Sequence, residues 1–172
     1  IVLDLFCGCG GISYGFEMAG FDIIGGIDFN KDATDTFKKN FPNAIVQCAD
    51  ISTISDTSIK ELFSGVDVII GGPPCQGFSS ANQQRIIDDP RNELYKYYIE
   101  CVKKILPKFV VMENVRGMLK VADQVVEDYE SIKEKKNGVT YSYAVSYKLL
   151  NSLDFSVAQS RERLIYIAIR ND

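Results

Sequence analysis

Ile1-Val2-Leu3-Asp4-Leu5-Phe6-Cys7-Gly8-Cys9-Gly10-Gly11-Ile12-Ser13-Tyr14-Gly15-Phe16-Glu17-Met18-Ala19-Gly20 decides the reading of the whole chain. Residues 1–6 are a β-rich apolar run that stops at a glycine cluster, and Ile12, Phe16 and Ala19 then recur at helical spacing. The pattern is strand, turn, helix. It repeats as 22–28 with 31–40, as 44–50 with 58–63, and as 66–72 with a helix over about 92–106. Residues 109–115 follow as another buried strand, with a charged amphipathic helix after it. Alternation of this kind predicts an α/β fold, a Rossmann-like doubly wound, mostly parallel sheet with right-handed crossovers. Ligands then sit at the carboxyl ends of its strands. The last two apolar segments, 143–150 and 163–169, are expected to close one edge of the sheet as an antiparallel hairpin.

The composition sets limits. A chain of 172 residues, 46% apolar, suits one globular domain, so a single domain over 1–172 is expected. Its longest apolar runs are of strand length, far short of the ~20 residues a membrane helix needs, and no basic-then-apolar leader opens it, so a cytoplasmic protein is expected. Five cysteines without such a leader suggest reduced thiols. The absence of histidine removes the commonest zinc ligand and the usual general base. Cys7 and Cys9 flank Gly8 with no second pair at finger-like spacing, so no metal site is expected and packing is their assigned role. A formal charge of −4 is unusual for a nucleic-acid enzyme, which implies that any basic surface is local or lies elsewhere in a longer protein.

Gly8, Gly10 and Gly11 stand where the first strand becomes the first helix, so backbone can approach a ligand closely and helix amides can face it. The dinucleotide fingerprint G-x-G-x-x-G fails, because its third glycine position is Ser13. Asp28 ends the second strand, where a carboxylate can accept from both hydroxyls of a ribose. Phe29 beside it can stack on adenine. Asp50 ends the third strand and can take an adenine amino group, with Ile51 over the ring face. Alone, each acid reads equally as a turn or cap residue; at successive strand ends they outline a nucleoside pocket.

Gly71-Gly72-Pro73-Pro74-Cys75-Gln76-Gly77-Phe78-Ser79 is the most informative segment, since two prolines stiffen the backbone ahead of a thiol at the end of a buried strand. Cys75 is thereby placed as a nucleophile, with nearby cations or helix amides needed to lower its pKa from ~8.5. Met112-Glu113-Asn114-Val115 ends the next strand and puts Glu113 at the same edge of the sheet; burial there would keep its carboxyl protonated and able to serve a ring nitrogen. In Gln159-Ser160-Arg161-Glu162-Arg163, alternation aims Arg161 and Arg163 to one side, as the cations for a base carbonyl or a phosphate. The polar connection 79–91 reads as a mobile loop beside the site.

The order Asp-Leu-Phe-x-Gly-x-Gly-Gly, Pro-Pro-Cys-Gln-Gly-Phe-Ser, Glu-Asn-Val and Gln-x-Arg-x-Arg resembles the cytosine-C5 DNA methyltransferases from end to end of the chain. The resemblance implies the class I S-adenosylmethionine-dependent fold and a methyl transfer to C5 of a cytosine flipped out of double-stranded DNA. It implies that Cys75 adds to C6, that Glu113 holds N3, that Arg161 lies near O2 and that Arg163 supports the same pocket. It places Phe6, Gly8, Gly10, Gly11, Asp28, Phe29, Asp50, Ile51, Pro74 and Leu94 around S-adenosylmethionine, which leaves as S-adenosylhomocysteine. Gln76 and Ser79 would contact DNA, helping to offset the few kcal/mol of base extrusion. A monomer, nucleoid-associated if bacterial, is expected. Two departures stand out. The ribose-binding acid, commonly Glu in that family, is Asp28, and the family's target-recognition region and final cofactor-pocket motif are not found.

Other readings compete. A transfer-RNA cytosine-C5 enzyme typically reads Pro-Pro-Cys-Gln-Pro-Phe-Thr, against which Gly77 and Ser79 favour DNA. A catalytically silent domain that binds cofactor or partner is opposed by the joint presence of Cys75, Glu113, Arg161 and Arg163. Exocyclic-amine methylation would want Asp or Asn before Pro-Pro, and a dehydrogenase would want the failed fingerprint and a histidine. The DNA sequence recognised, and a restriction-modification as against a regulatory role, are not legible here.

Overall fold

The computed structural model describes residues 1–54, 58–59, 63, 65–74 and 92–172. Its strands are β1 (Val2–Leu5), β2 (Ile23–Asp28), β3 (Ile45–Cys48), β4 (Val68–Gly71), β5 (Phe109–Val115), β6 (Glu134–Lys136), β7 (Val139–Tyr141), β8 (Tyr143–Asn151) and β9 (Glu162–Arg170). Helices α1 (Gly11–Met18), α2 (Lys31–Asn40), α3 (Glu93–Ile105) and α4 (Ala122–Glu130) alternate with them, and short 3-10 turns cover Ile51–Thr53, Arg116–Val121 and Ser152–Phe155. Seven strands form one sheet in the order β3-β2-β1-β4-β5-β9-β8. The first five are parallel, and β9 runs antiparallel to both β5 and β8. The doubly wound expectation and the closing hairpin both hold.

The strand alternation explains the two layers. Leu3, Leu5 and Ile69 share a core with Tyr95, Tyr98 and Val102 of α3, and with Val125 and Tyr129 of α4. Val2, Val68 and Ile70, offset by one residue, face the other way, onto Ile12 and Phe16 of α1. Tyr95, Tyr98 and Ile99 have no exposed surface, and burying each such side chain is worth roughly 1.5–3 kcal/mol. Among the described residues no helix is long and apolar enough to cross a membrane.

Local signals set the element ends. Asn30 caps α2 by accepting the Ala33 N–H at 3.0 Å, with Asp32 in the first turn and Lys38 and Lys39 in the last, each favourable to the helix dipole. Leu106 closes α3 in the left-handed region, its N–H donating to the Val102 carbonyl at 2.8 Å. The small β6–β7 hairpin is additional to the elements expected from sequence. Its turn is Asn137-Gly138, both at positive φ, as a type I′ hairpin turn requires.

Candidate active site

Among the described residues, two cavities open at the carboxyl ends of the parallel strands. The first encloses about 190 Å³ and is lined by Phe6, Ile27, Asp28, Phe29, Ala49, Asp50, Ile51 and Leu94. It gathers six of the ten residues assigned to the cofactor. Phe6 leaves β1 at φ 63, a conformation uncommon for an aromatic residue, and its ring stacks at 6.4 Å on Tyr98. One oxygen of Asp28 accepts the Gly8 N–H and the other the Asn30 N–H, both at 2.9 Å. An ionised carboxylate offers about four acceptor positions, so roughly two remain for hydroxyl donors. The glycine loop is thus tied to the acid at the end of β2.

Asp50 serves as the cap its position also allowed: Oδ1 takes the Ser52 N–H at 2.9 Å and the Ser52 hydroxyl at 2.7 Å. Those two donors hold its carboxyl below the usual range, so it presents an acceptor to the cavity. Gly8, Gly10, Gly11 and Pro74 do not line this cavity. Gly10 has a packing reason instead. Its φ is 94, and a side chain there would meet Phe41 at 2.5 Å and Phe37 at 3.1 Å. Gly11 begins α1, and Pro74 belongs to the neighbouring cavity.

That second cavity, about 330 Å³, is lined by Gly72, Pro73, Pro74, Glu113, Asn114, Val115, Arg161 and Arg163. β5 pairs with β9 so that Glu113 lies opposite Ile165 and Val115 opposite Arg163. Glu113 and Arg163 are therefore diagonal neighbours on one face, and Arg163 Nε meets Glu113 Oε1 at 2.6 Å. The expected apolar burial of Glu113 is replaced by this ion pair, with side-chain exposures of 28% and 24%. Gly72 leaves room for the carboxylate, since a Cβ would sit 3.0 Å from Glu113 Oε2. Arg116 pairs with Glu162 at 2.6 Å, tying the Arg116–Val121 turn to the start of β9.

Asn114 carries a role that sequence reasoning did not assign. Buried at 5% exposure, it donates from Nδ2 to the Pro73 carbonyl at 2.9 Å and accepts the Val115 N–H at 2.9 Å. It joins the end of β5 to the proline segment. The available signal was an amide closing an otherwise apolar strand, which is costly to bury unless bonded. Cys75, Gln76, Ser79 and the 79–91 connection lie outside the described residues.

Behind the glycine loop, Asp4 is 1% exposed, accepts the Ser13 hydroxyl at 2.5 Å, and leaves Oδ1 without a hydrogen-bond partner. Burial pushes its carboxyl up to about 7, against the Ser13 bond, which pulls it down. Burial likewise pushes the Cys7 thiol well above its ordinary value, consistent with packing and not reactivity. Among the described residues no group of three or more histidine, cysteine or acidic side chains could hold a metal ion.

The family model for the C-5 cytosine-specific DNA methylase matches residues 1–172. The chain belongs to that family. Within it, the chain is 43% identical to the Type II methyltransferase M.DdeI of Desulfomicrobium norvegicum, over 99% of this chain and 41% of that protein. It is also 43% identical to M.FnuDI of Fusobacterium nucleatum, over 99% of this chain and 47% of that protein. A crystal structure of Spodoptera frugiperda DNMT2 is 26% identical and superposes with a TM-score of 0.75, covering 99% of this chain and 50% of that one. The chain thus spans less than half the length of these two curated methylase relatives.

Proposed function

We propose that the chain is the catalytic and cofactor-binding core of an S-adenosylmethionine-dependent DNA cytosine-C5 methyltransferase. The observation that carries this reading is the Glu113–Arg163 ion pair, 2.6 Å long, in a cavity walled by Pro73 and Pro74, the residues that lead directly into Cys75. The neighbouring cavity suits a nucleoside, with aromatic and aliphatic walls and carboxylates from Asp28 and Asp50 that retain acceptor capacity. Phe6, Asp28, Phe29, Asp50, Ile51 and Leu94 would hold the cofactor there. Bound S-adenosylmethionine supplies an electrophilic methyl group.

The chain's own residues prepare the base. A Cys75 thiolate adds to C6 of a flipped-out cytosine, forming a carbon–sulfur bond and moving electron density to C5. Glu113 holds N3 in its acid form, donating a proton as negative charge develops there and taking it back when the ring is restored, while Arg161 addresses O2 and Arg163 supports the same pocket. The ion pair orients the Glu113 carboxyl group, and Asn114 fixes the strand end on which it stands. After methylation, loss of the C5 proton to solvent and expulsion of the thiolate restore the aromatic ring. Gln76 and Ser79 contact the DNA, and the protein acts as a monomer without a metal.

The test is covalent trapping by the full-length protein on duplex DNA carrying 5-fluorocytosine, with S-adenosylmethionine, comparing wild type with Cys75→Ala. The substituted base lacks the C5 proton, so the thioether adduct persists. A Cys75-dependent adduct on DNA is expected. An adduct on 5-fluorocytosine transfer RNA alone would move the substrate assignment to RNA, and cofactor binding without any adduct would remove the catalytic assignment.

A further inference from the structure

We infer that Asn151 is a positioning residue for the proposed reaction, clamping the backbone of Arg161 and thereby setting how that guanidinium enters the Glu113 cavity. The inference rests on the reading above. The two arginines of the cavity are held differently. Arg163 lies inside β9, within the ladders to β5 and β8, and is ion-paired to Glu113. Arg161 lies one residue before β9, beyond the last β8–β9 pair, Asn151 with Glu162. No strand ladder orients it.

Asn151 supplies the anchor. Its Oδ1 accepts the Leu153 N–H at 3.1 Å and the Arg161 N–H at 3.2 Å. Two converging N–H donors require an oxygen at that position, which fixes the orientation of the amide. Nδ2 then faces the Ser160 hydroxyl at 3.3 Å. Capping the 3-10 turn at Ser152–Phe155 needs only the Leu153 bond; the second bond reaches ten residues onward and serves Arg161. The adjacent Ser152 N–H donates to the Arg161 carbonyl at 3.0 Å, so residues 151 and 152 hold both backbone polar groups of Arg161. None of these groups lines the cofactor cavity.

Misplacing a substrate-directed group by about 1 Å can cost up to 10²-fold in rate, so a loosened Arg161 should show in kcat and leave cofactor binding alone. The experiment uses the full-length protein as wild type, Asn151→Ala and Asn151→Asp, the last keeping an acceptor oxygen for both N–H groups. Each is measured for kcat, for KM of S-adenosylmethionine, and for amide hydrogen exchange at Arg161. Asn151→Ala is expected to lose Arg161 amide protection and about tenfold in kcat, with the cofactor KM unchanged. Asn151→Asp is expected to restore both. Unchanged Arg161 protection in Asn151→Ala, or lost protection with kcat unchanged, overturns the inference. If Asn151→Ala fails to fold, Asn151→Asp decides: wild-type protection with a crippled kcat overturns it, and joint retention supports it. A wild type that methylates no cytosine in DNA overturns the parent reading and this role with it, whereas an active wild type beside an unimpaired Asn151→Ala overturns this inference alone.

Discussion

Replacing Asp4 with Asn should flatten the pH dependence of stability in a window set by the burial of that carboxyl. Asp4 sits among Val2, Val68 and Ile70 on the α1 side of the sheet, bonded to Ser13 and otherwise dry. Its pKa is about 7 when folded against an ordinary 3.8. The folded state therefore binds this proton more tightly than the unfolded state. The stability associated with the neutral carboxyl is fully present below pH ~4 and is lost as pH rises through about 7. Above that, both states are ionised and the slope ends. Integrating the proton difference between pH 5 and pH 8 covers about two pH units of a one-proton difference, or roughly 2–3 kcal/mol at 1.36 kcal/mol per unit. Asn cannot ionise, so Asp4→Asn should lack this loss. The amide still accepts from Ser13 but puts an N–H₂ where Oδ1 has no partner, at a cost of about 1–3 kcal/mol that is independent of pH. The assay is urea unfolding of both proteins at pH 5, 6, 7 and 8 with m-values compared. All other titrations cancel in the difference. If the two stability curves run parallel across that range, Asp4 is ionised in the folded protein at pH 5 and the reasoning is refuted.

Three further outcomes are expected. Gly10→Ala should destabilise the fold by about 2 kcal/mol or more in chemical denaturation, because its φ of 94 is left-handed and a Cβ would strike Phe41 at 2.5 Å. Asp28→Ala should weaken S-adenosylmethionine binding about tenfold or more by calorimetry, since a hydrogen bond to a charged group is worth roughly 1.5–3 kcal/mol; unchanged affinity would take Asp28 out of the cofactor pocket. Arg163→Met should lower kcat on DNA by about 10²-fold, as for loss of one transition-state donor. It should shift the unfolding midpoint only slightly, because the Glu113 pair is a quarter exposed and screened by solvent; a large loss of stability with kcat intact would invert that assignment.

The hairpin at 134–141 marks a limit of pattern reading. Asn137-Gly138 is a strong short-range turn signal, but the flanking Glu134, Lys135 and Lys136 are charged and exposed, so no apolar alternation accompanied it. Asp50 marks another. One strand-end carboxylate can cap a turn and face a pocket at once, and here Ser52 claims Oδ1 while the residue still lines the cavity.

Strand and helix alternation, the glycine turn, and acids at the ends of β2 and β3 were legible from sequence, because each depends on side chains within a few positions of one another. The placing of Glu113 at the edge where β4 and β5, parallel neighbours, end together was legible too, while Cys75, expected at that edge, lies outside the described residues. Only the tertiary structure decided how these parts engage. The Gly8–Asp28 bond follows from the parallel pairing of β1 with β2. The Glu113–Arg163 pair depends on an antiparallel register in which a slip of one residue would turn Arg163 to the opposite face. Gly10 acquires its packing role from α2, and Arg161 its anchor from the end of β8. In each case the contact joins residues that no local periodicity relates, and only the packing of the sheet with its helices and connections brings them together.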